Sequence, residues 1–117
     1  MQPYEKLDAW KAAHTLAVEL HRAVRRWPVE ERYALTAQIR RAGFSIPLNI
    51  VEGRARLGRK EFRRFLDTAW GSLAEVEYGL RLARDLGYLT PDEFERLETL
   101  RDQVAKPLFG LLRSMSG

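Results

Sequence analysis

An apolar residue recurs every three or four positions, without a gap, between residues 59 and 86. This spacing places the apolar side chains on one face of an α-helix. The face consists of Phe62, Phe65, Leu66, Ala69, Leu73, Val76, Leu80, Ala83 and Leu86. It is the strongest periodic signal in the chain, and it predicts a helix about 40 Å long.

Three further segments repeat this apolar spacing and predict three more helices. The first covers about residues 4–26 and ends before Pro28, because a residue that precedes proline disfavours the helical conformation. The second begins near Glu30 or Glu31, since acidic residues suit the positive amino end of a helix, and continues to about residues 53–56.

The last two helices carry clear signals at their ends. Gly87 is expected to cap the third helix, because glycine adopts the left-handed conformation without a side-chain penalty. Thr90 is expected to cap the fourth helix, with Pro91 in its first turn and Glu93 completing a capping box. Pro107 predicts a break further along this helix.

Short connections between four amphipathic helices predict the all-α class and an antiparallel, up-down-up-down four-helix bundle. No strand-like alternation persists in the sequence, and no internal repeat is present. At 117 residues the chain is expected to form one domain over residues 1–117. In such a bundle the first and third connections share one end, and the second connection lies at the other.

Composition excludes several classes of function. Cysteine is absent, which excludes thiol and disulfide chemistry. No apolar run approaches the ~20 residues of a membrane span, and no signal peptide opens the chain, so we expect a cytoplasmic protein without membrane contact. His14 and His21 would lie about 10.5 Å apart along one helix, too far to share a metal ion. We therefore expect neither a metal nor a cofactor.

Gly71-Ser72 is the only pair that suggests a catalytic nucleophile. A serine nucleophile needs a base within hydrogen-bond reach. The chain has only two histidines, and neither lies in a recognisable motif. We therefore interpret Gly71 and Ser72 as small residues that let two helices approach closely, and we expect no catalytic residue and no enzyme activity.

The segment 38–53 is read as a helix although several of its residues are poor helix formers. Pro47 lacks an amide donor and presses on the carbonyl four residues earlier, where Gly43 can yield. Asn49 and Ser45 lie four residues apart on one face. They form either a polar layer that fixes register or oligomeric state, or a local arrangement in which Asn49 satisfies carbonyls freed by Pro47.

A basic cluster is the main candidate for a functional site. Its members are Arg54, Arg56, Arg59, Lys60, Arg63 and Arg64. Glu61 is the single acidic residue among them, so the local charge is +5, against +4 for the whole chain. Arginine binds phosphate through two parallel hydrogen bonds, and each phosphate contact releases counterions. The cluster predicts binding to the backbone of RNA or DNA, and a solvated helix start is the alternative.

Three motifs, taken together, resemble one protein family. Q-I-R-R-A-G-F-S-I-P-L-N-I-V-E-G spans residues 38–53, E-F-R-R-F-L-D-T-A-W-G-S-L-A-E spans residues 61–75, and L-G-Y spans residues 86–88. In order and spacing they resemble the four-helix-bundle family found in intervening sequences of bacterial 23S rRNA genes. The departures are small: Val51 stands where alanine is more common, and Trp70 precedes the glycine of the second motif.

The resemblance implies a bundle that assembles into a ring-like homo-oligomer, typically a pentamer. Related proteins include the accessory variability determinant of diversity-generating retroelements, which looks like a basic pentamer that partners a reverse transcriptase and nucleic acid. Most members have no established activity. The motif residues expected to serve the oligomer or the fold are Arg40, Arg41, Ser45, Asn49, Glu52, Gly53, Gly71, Ser72 and Glu75.

Arg40 and Arg41 would point about 100° apart on a helix. The alternatives are a phosphate contact, a contact with a subunit or a glutamate, and two solvated arginines whose stems pack on the bundle. Because the pair belongs to the family motif, we favour a contact with a neighbouring subunit or with Glu52 or Glu75.

The sequence thus predicts a non-catalytic, homo-oligomeric accessory protein that binds nucleic-acid backbone with low sequence specificity. The alternative is a protein–protein scaffold or structural ring with no nucleic-acid role, and an unidentified protein partner is compatible with either. Exposed aromatic residues such as Tyr33, Trp70 and Tyr78 are expected to line an interface.

Overall fold

The computed structural model describes residues 3–115 of the chain, and these residues are helical without any strand. The four α-helices are α1 (Asp8–Ala23), α2 (Leu35–Ala55), α3 (Arg59–Asp85) and α4 (Pro91–Ser114). Short 3₁₀ turns precede α1 at Pro3–Lys6 and follow it at Val24–Arg26 and Val29–Glu31. The predicted all-α class is confirmed.

The four helices form a square, in which each helix packs against two neighbours. α1 and α3 each contact both α2 and α4, whereas no Cα atom of α1 lies within 8 Å of α3, nor of α2 within 8 Å of α4. α2 and α3 run in opposite directions, because Ser45 of α2 meets Ser72 of α3, while Ile39, earlier on α2, meets Gly79, later on α3. Contacts of Arg63 with Leu112 and of Glu77 with Arg101 show the same for α3 and α4. Contacts of Glu19 with Arg96 and of Arg26 with Glu93 show it for α1 and α4. The bundle measures 43 × 27 × 24 Å.

The core lies along the axis of the square and contains apolar side chains from all four helices. The largest fully buried side chains are Leu16, Leu20, Ile39, Ile46, Ile50, Leu66, Val76, Leu80, Leu97, Val104 and Leu108. Burial of each such side chain contributes roughly 1.5–3 kcal/mol to folding. None of the helices in residues 3–115 has both the length and the apolar character needed to cross a membrane.

The predicted signals at the ends of α3 and α4 are confirmed. Thr90 and Glu93 form a reciprocal capping box, in which Glu93 N donates to Thr90 Oγ1 at 3.1 Å and Thr90 N donates to Glu93 Oε1 at 2.9 Å. The hydrogen bond from the Thr90 backbone lowers the pKa of the Glu93 carboxyl. Gly87 follows α3 with φ of +83°, a conformation that side chains other than glycine's rarely adopt.

Three of the predicted helices differ from those of the structure. The first helix is divided, because 3₁₀ turns replace its two ends. α2 begins at Leu35, and Glu31 lies outside it, where its carboxylate accepts a hydrogen bond from Leu35 N at 3.3 Å. The Glu31 carboxylate therefore pairs with the first amide of α2 from outside the helix. No break occurs at Pro107, since α4 continues through it to Ser114.

Glycine allows α2 to approach its two neighbours closely. A methyl group on Gly43 would lie 2.9 Å from Leu20 Cδ1 of α1. One on Gly53 would lie 2.7 Å from Phe65 Cβ and 3.0 Å from Phe62 Cδ1 of α3. By contrast, a methyl group on Gly71 would meet no atom of residues 3–115 within 4 Å. Gly53 therefore serves packing within the chain. The prediction that Gly71 lets two helices of the bundle approach closely was wrong.

The two glycines should respond oppositely to replacement by alanine. We expect Gly53→Ala to lower the free energy of unfolding by about 1–2 kcal/mol, because overpacking costs ~1–3 kcal/mol and the better helix former returns up to ~1 kcal/mol. Gly71→Ala should raise it by about 0.5–1 kcal/mol. Urea unfolding at one protein concentration measures both, and a Gly53→Ala variant as stable as Gly71→Ala would contradict this packing.

Candidate nucleic-acid interface

The turn between α2 and α3 carries the basic cluster at one end of the bundle. We call this surface the basic end and define it as Arg54, Arg56, Arg59, Lys60, Arg63 and Arg64. All six side chains are exposed or half-buried. Gly58 makes the sharp turn between the helices with φ of +97°. The structure therefore brings all six predicted residues to one end, although it uses them in different ways.

Arg59 and Arg63 are engaged by the end of α4. Arg63 Nη1 donates to the carbonyl oxygen of Leu112 at 2.9 Å, and Arg59 Nη2 donates to the carbonyl oxygen of Ser114. The last carbonyls of a helix lack donors within the helix, and its carboxy end attracts cations. These two arginines therefore fasten the end of α4 to the start of α3.

Arg56 and Arg64 lie over the ring of Phe65. Their guanidinium carbons are 5.2 Å and 5.6 Å from the ring centroid, distances at which a cation is attracted to an aromatic face. Arg64 Nη2 also donates to Glu61 Oε2 at 3.0 Å. The sequence placed Phe65 only on the apolar face of α3. Its contact with two guanidinium groups could have been expected from its position directly after Arg64.

The basic end retains a surplus of positive charge. The two nearby carboxylates already form ion pairs, Glu61 with Arg64 and Asp67 with Arg63 at 3.4 Å. Arg54 and Lys60 are exposed and pair with no carboxylate of residues 3–115. We call Arg54, Arg56, Lys60 and Arg64 the free basic set, because none of the four holds α4. Arg64 pairs with Glu61, so the four cations and this one carboxylate leave a net charge of +3.

Arg40, Arg41, Glu52 and Glu75 form no ion pair with one another. Arg41 and Glu52 lie on the same helix eleven residues apart, about 16 Å along its axis. Arg40 and Arg41 are exposed. A contact between Arg41 and Glu52 within the chain is therefore excluded, and a contact between subunits stays a prediction.

A polar link joins α2 to α3 through Ser45, Asn49 and Ser72. Ser72 Oγ donates to Ser45 Oγ at 2.8 Å across the two helices. Asn49 Nδ2 donates to Ser45 Oγ at 2.9 Å and to the Ser45 carbonyl at 2.8 Å. Asn49 thus contacts the carbonyl of Ser45, not that of Gly43, which Pro47 leaves without a donor. The geometry is that of a polar layer between helices.

The polar link should contribute measurably to stability. Ser72→Ala is expected to lower the free energy of unfolding by about 1 kcal/mol, because the half-buried Ser45 hydroxyl then loses its partner on α3. In a double-mutant cycle with Ser45→Ala, we expect a coupling energy of about 0.5–1 kcal/mol. Chemical denaturation of the four proteins in the cycle measures this coupling energy. If the effects of the two substitutions were additive, the hydrogen bond between Ser45 and Ser72 would not contribute to stability.

Ser72 is not placed as a nucleophile. Its hydroxyl contacts Ser45, while His14 stacks on Trp10 and His21 Nδ1 lies 2.9 Å from the Ala17 carbonyl. Within residues 3–115, no three histidine, aspartate or glutamate side chains are grouped to hold a metal ion.

Two opposite faces of the square carry apolar surface. Between α1 and α2 lies a groove of about 560 Å³, whose wall includes Trp10, Pro47, Leu48 and the 57% exposed Phe44. On the α3–α4 face, Trp70 and Phe109 are 40% and 44% exposed, and their ring centroids are 5.9 Å apart. Tyr33 and Tyr78 are also exposed. Phe44 and Phe109 were not predicted to be exposed. Their positions off the apolar stripe of their helices were the signal that could have shown it.

These features define an all-helical bundle of four antiparallel helices with one basic end. The chain belongs to the 23S rRNA-intervening sequence protein family, whose model matches residues 5–110. This confirms the resemblance seen in the sequence.

The fold is similar to that of a solved protein of unknown function from the S23 ribosomal protein family of Bacteroides thetaiotaomicron VPI-5482. The TM-score is 0.83 and the identity 24%, over 90% of this chain and 95% of that chain. At this identity the likeness bears on the fold alone. No protein with a curated description matches the chain.

Proposed function

We propose that this protein is a non-catalytic, homo-oligomeric accessory protein that binds nucleic-acid backbone at its basic end. The observation that carries the proposal is the surplus of exposed cations in the free basic set. Arginine and lysine bind phosphate oxygens and release counterions without reading base edges. Because contacts to the phosphate backbone do not by themselves select RNA over DNA, both nucleic acids are to be tested.

The two apolar faces support assembly of several copies. Because the groove and the Trp70–Phe109 pair lie on opposite sides of the square, one copy can place its aromatic pair in the groove of the next. Such a head-to-tail contact uses two different surfaces and generates a ring when the rotation closes. A ring would repeat the basic end on each subunit and raise the avidity for a polyanion.

A protein–protein scaffold is the second candidate function. The specific observation in its favour is the groove itself, since an apolar cleft beside an exposed phenylalanine also fits an amphipathic segment of another protein. In this case the basic end would serve solubility and assembly.

Equilibrium titration with labelled RNA separates the two candidates. Nuclease-treated protein is titrated into several unrelated single-stranded RNAs of equal length, and into DNA of the same sequences, by fluorescence anisotropy. We expect dissociation constants that agree within a few fold, because backbone contacts carry little sequence information. If no RNA or DNA bound at low salt, the protein–protein scaffold would be the remaining candidate function. A strong preference for one sequence would contradict recognition of the backbone.

A further inference from the structure

Three arginines surround a small pocket at the other end of the bundle. The pocket has a volume of about 220 Å³ and lies where the chain passes from α1 to α2. Arg25, Arg32 and Arg40 line it, together with Thr36. None of the three guanidinium groups forms an ion pair or hydrogen bond with a residue in the range 3–115, although Arg32 lies 5.3 Å from the ring centroid of Tyr33. All three side chains are exposed, and together they give this surface a positive charge that favours an anion.

A buried donor without a partner belongs to one of the residues that line the pocket, although solvent does not reach the donor atom itself. Trp27 lines the pocket and is 7% exposed, and its Nε1 has no hydrogen-bond partner. In the described part of the chain, it is the one buried side-chain nitrogen or oxygen without a partner. Buried donors are rarely left unpaired, because the lost hydrogen bond costs ~1–3 kcal/mol. Thr36 is 4% exposed and adds a hydroxyl to the same wall.

The neighbouring carboxylate is directed elsewhere. Glu31 accepts a hydrogen bond from Tyr88 Oη at 2.7 Å, which raises the pKa of Tyr88, and a second from Leu35 N at 3.3 Å. Neither Glu31 nor Glu30 of the adjoining turn lines the pocket or forms an ion pair with one of its arginines within residues 3–115.

We propose that this pocket binds a phosphate group. A tetrahedral phosphate accepts several hydrogen bonds, and guanidinium groups are its preferred partners in proteins. The pocket lies at the opposite end of α2 from Arg54, and the fourteen residues from Arg40 to Arg54 span about 21 Å of helix. The site is thus separate from the basic end and goes beyond the function proposed above. Its phosphate belongs either to the 5′ end of a nucleic acid or to a small phosphorylated molecule.

Titration with inorganic phosphate tests the pocket directly. In ¹H–¹⁵N spectra of the full chain, we expect the amide signals of residues 25, 32 and 40 and the Trp27 indole signal to move saturably with phosphate. Trp27→Phe identifies the indole signal among those of the three tryptophans. Arg40→Gln should weaken phosphate binding at least about tenfold, since a hydrogen bond to a charged group contributes about 1.5 kcal/mol or more. Sodium chloride at equal ionic strength supplies the baseline.

Arg81→Gln is the matched control, because Arg81 is exposed on α3 and does not line the pocket. It should leave phosphate binding unchanged. Trinucleotides with and without a 5′ phosphate then distinguish the two sources of the phosphate group. Tighter binding of the phosphorylated trinucleotide assigns the pocket to the 5′ end of a nucleic acid. Equally weak binding of both trinucleotides assigns it to a small phosphorylated molecule. A phosphate titration that matches chloride, or equal losses in Arg40→Gln and Arg81→Gln, would overturn the proposal. Either result leaves RNA binding at the basic end untouched.

Discussion

Replacing the free basic set with glutamine is expected to weaken RNA binding by on the order of 10²-fold near 0.1 M salt. The four side chains are Arg54, Arg56, Lys60 and Arg64. Each phosphate contact contributes mainly through counterion release, so four lost contacts multiply their effects. The mass of the assembly should not change, because none of the four lines the apolar groove or the Trp70–Phe109 pair. Fluorescence anisotropy and light scattering measure the two quantities.

The choice of residues follows from the contacts at the end of α4. Arg59 and Arg63 are kept, since removing them would release the carbonyls of Ser114 and Leu112 and mix a folding effect with a binding effect. A variant with Lys6, Lys11, Arg26 and Arg81 replaced by glutamine loses the same charge elsewhere and should bind RNA within a few fold of the native protein. Equal losses in the two variants would mean that net charge, not the basic end, carries the binding.

Phe44→Asp is expected to convert the assembly into a monomer of 13.6 kDa. In the proposed head-to-tail contact, Phe44 lies in the groove that receives the neighbour's aromatic pair. A buried phenylalanine contributes roughly 1.5–3 kcal/mol, and a carboxylate at the same place must be desolvated without a partner. Every contact of a ring contains this residue once, so every contact is weakened. Light scattering after size exclusion measures the mass.

Mixing two variants tests the direction of the contact. Trp70→Asp should also give monomers, because it removes the opposite face. A mixture of Phe44→Asp and Trp70→Asp retains one intact groove and one intact aromatic pair, and should therefore form dimers that cannot grow. The sequence led us to expect Tyr33 at an interface, but Tyr33 lines neither face of the proposed contact. Tyr33→Asp is therefore the control and should keep the native mass. A native protein that is already monomeric, or a Phe44→Asp variant of unchanged mass, would contradict the assembly.

The helices could be predicted because their signals are local. Apolar spacing within α3 and the Thr90–Glu93 capping box depend on residues a few positions apart. The start of α2 could not be predicted in the same way, because Glu31 bonds to Tyr88, 57 residues later in the chain. Pro107 does not end α4, since Val104 and Leu108 on either side of it are fully buried and hold the helix on its neighbours.

The residues of the basic end could be predicted from the sequence, but the contacts that each of them makes could not. Six basic residues within eleven positions predict a positive surface wherever the turn lies. The contact of Arg63 with Leu112 could not be predicted, because it requires the start of α3 to pack against the end of α4, 49 residues later in the chain. The pocket of Arg25, Arg32 and Arg40 could not be predicted from spacing either, because the 3₁₀ turns between α1 and α2 bring Arg25 to the start of α2.

The salt dependence of RNA binding by the native protein is the most direct test of nucleic-acid binding at the basic end. The logarithm of the binding constant is measured against the logarithm of the salt concentration. Four phosphate contacts from the free basic set of one subunit predict a slope of about −3 for single-stranded RNA, and more if several subunits contact the strand. A slope near zero, or no binding at the lowest salt, would contradict nucleic-acid binding at the basic end.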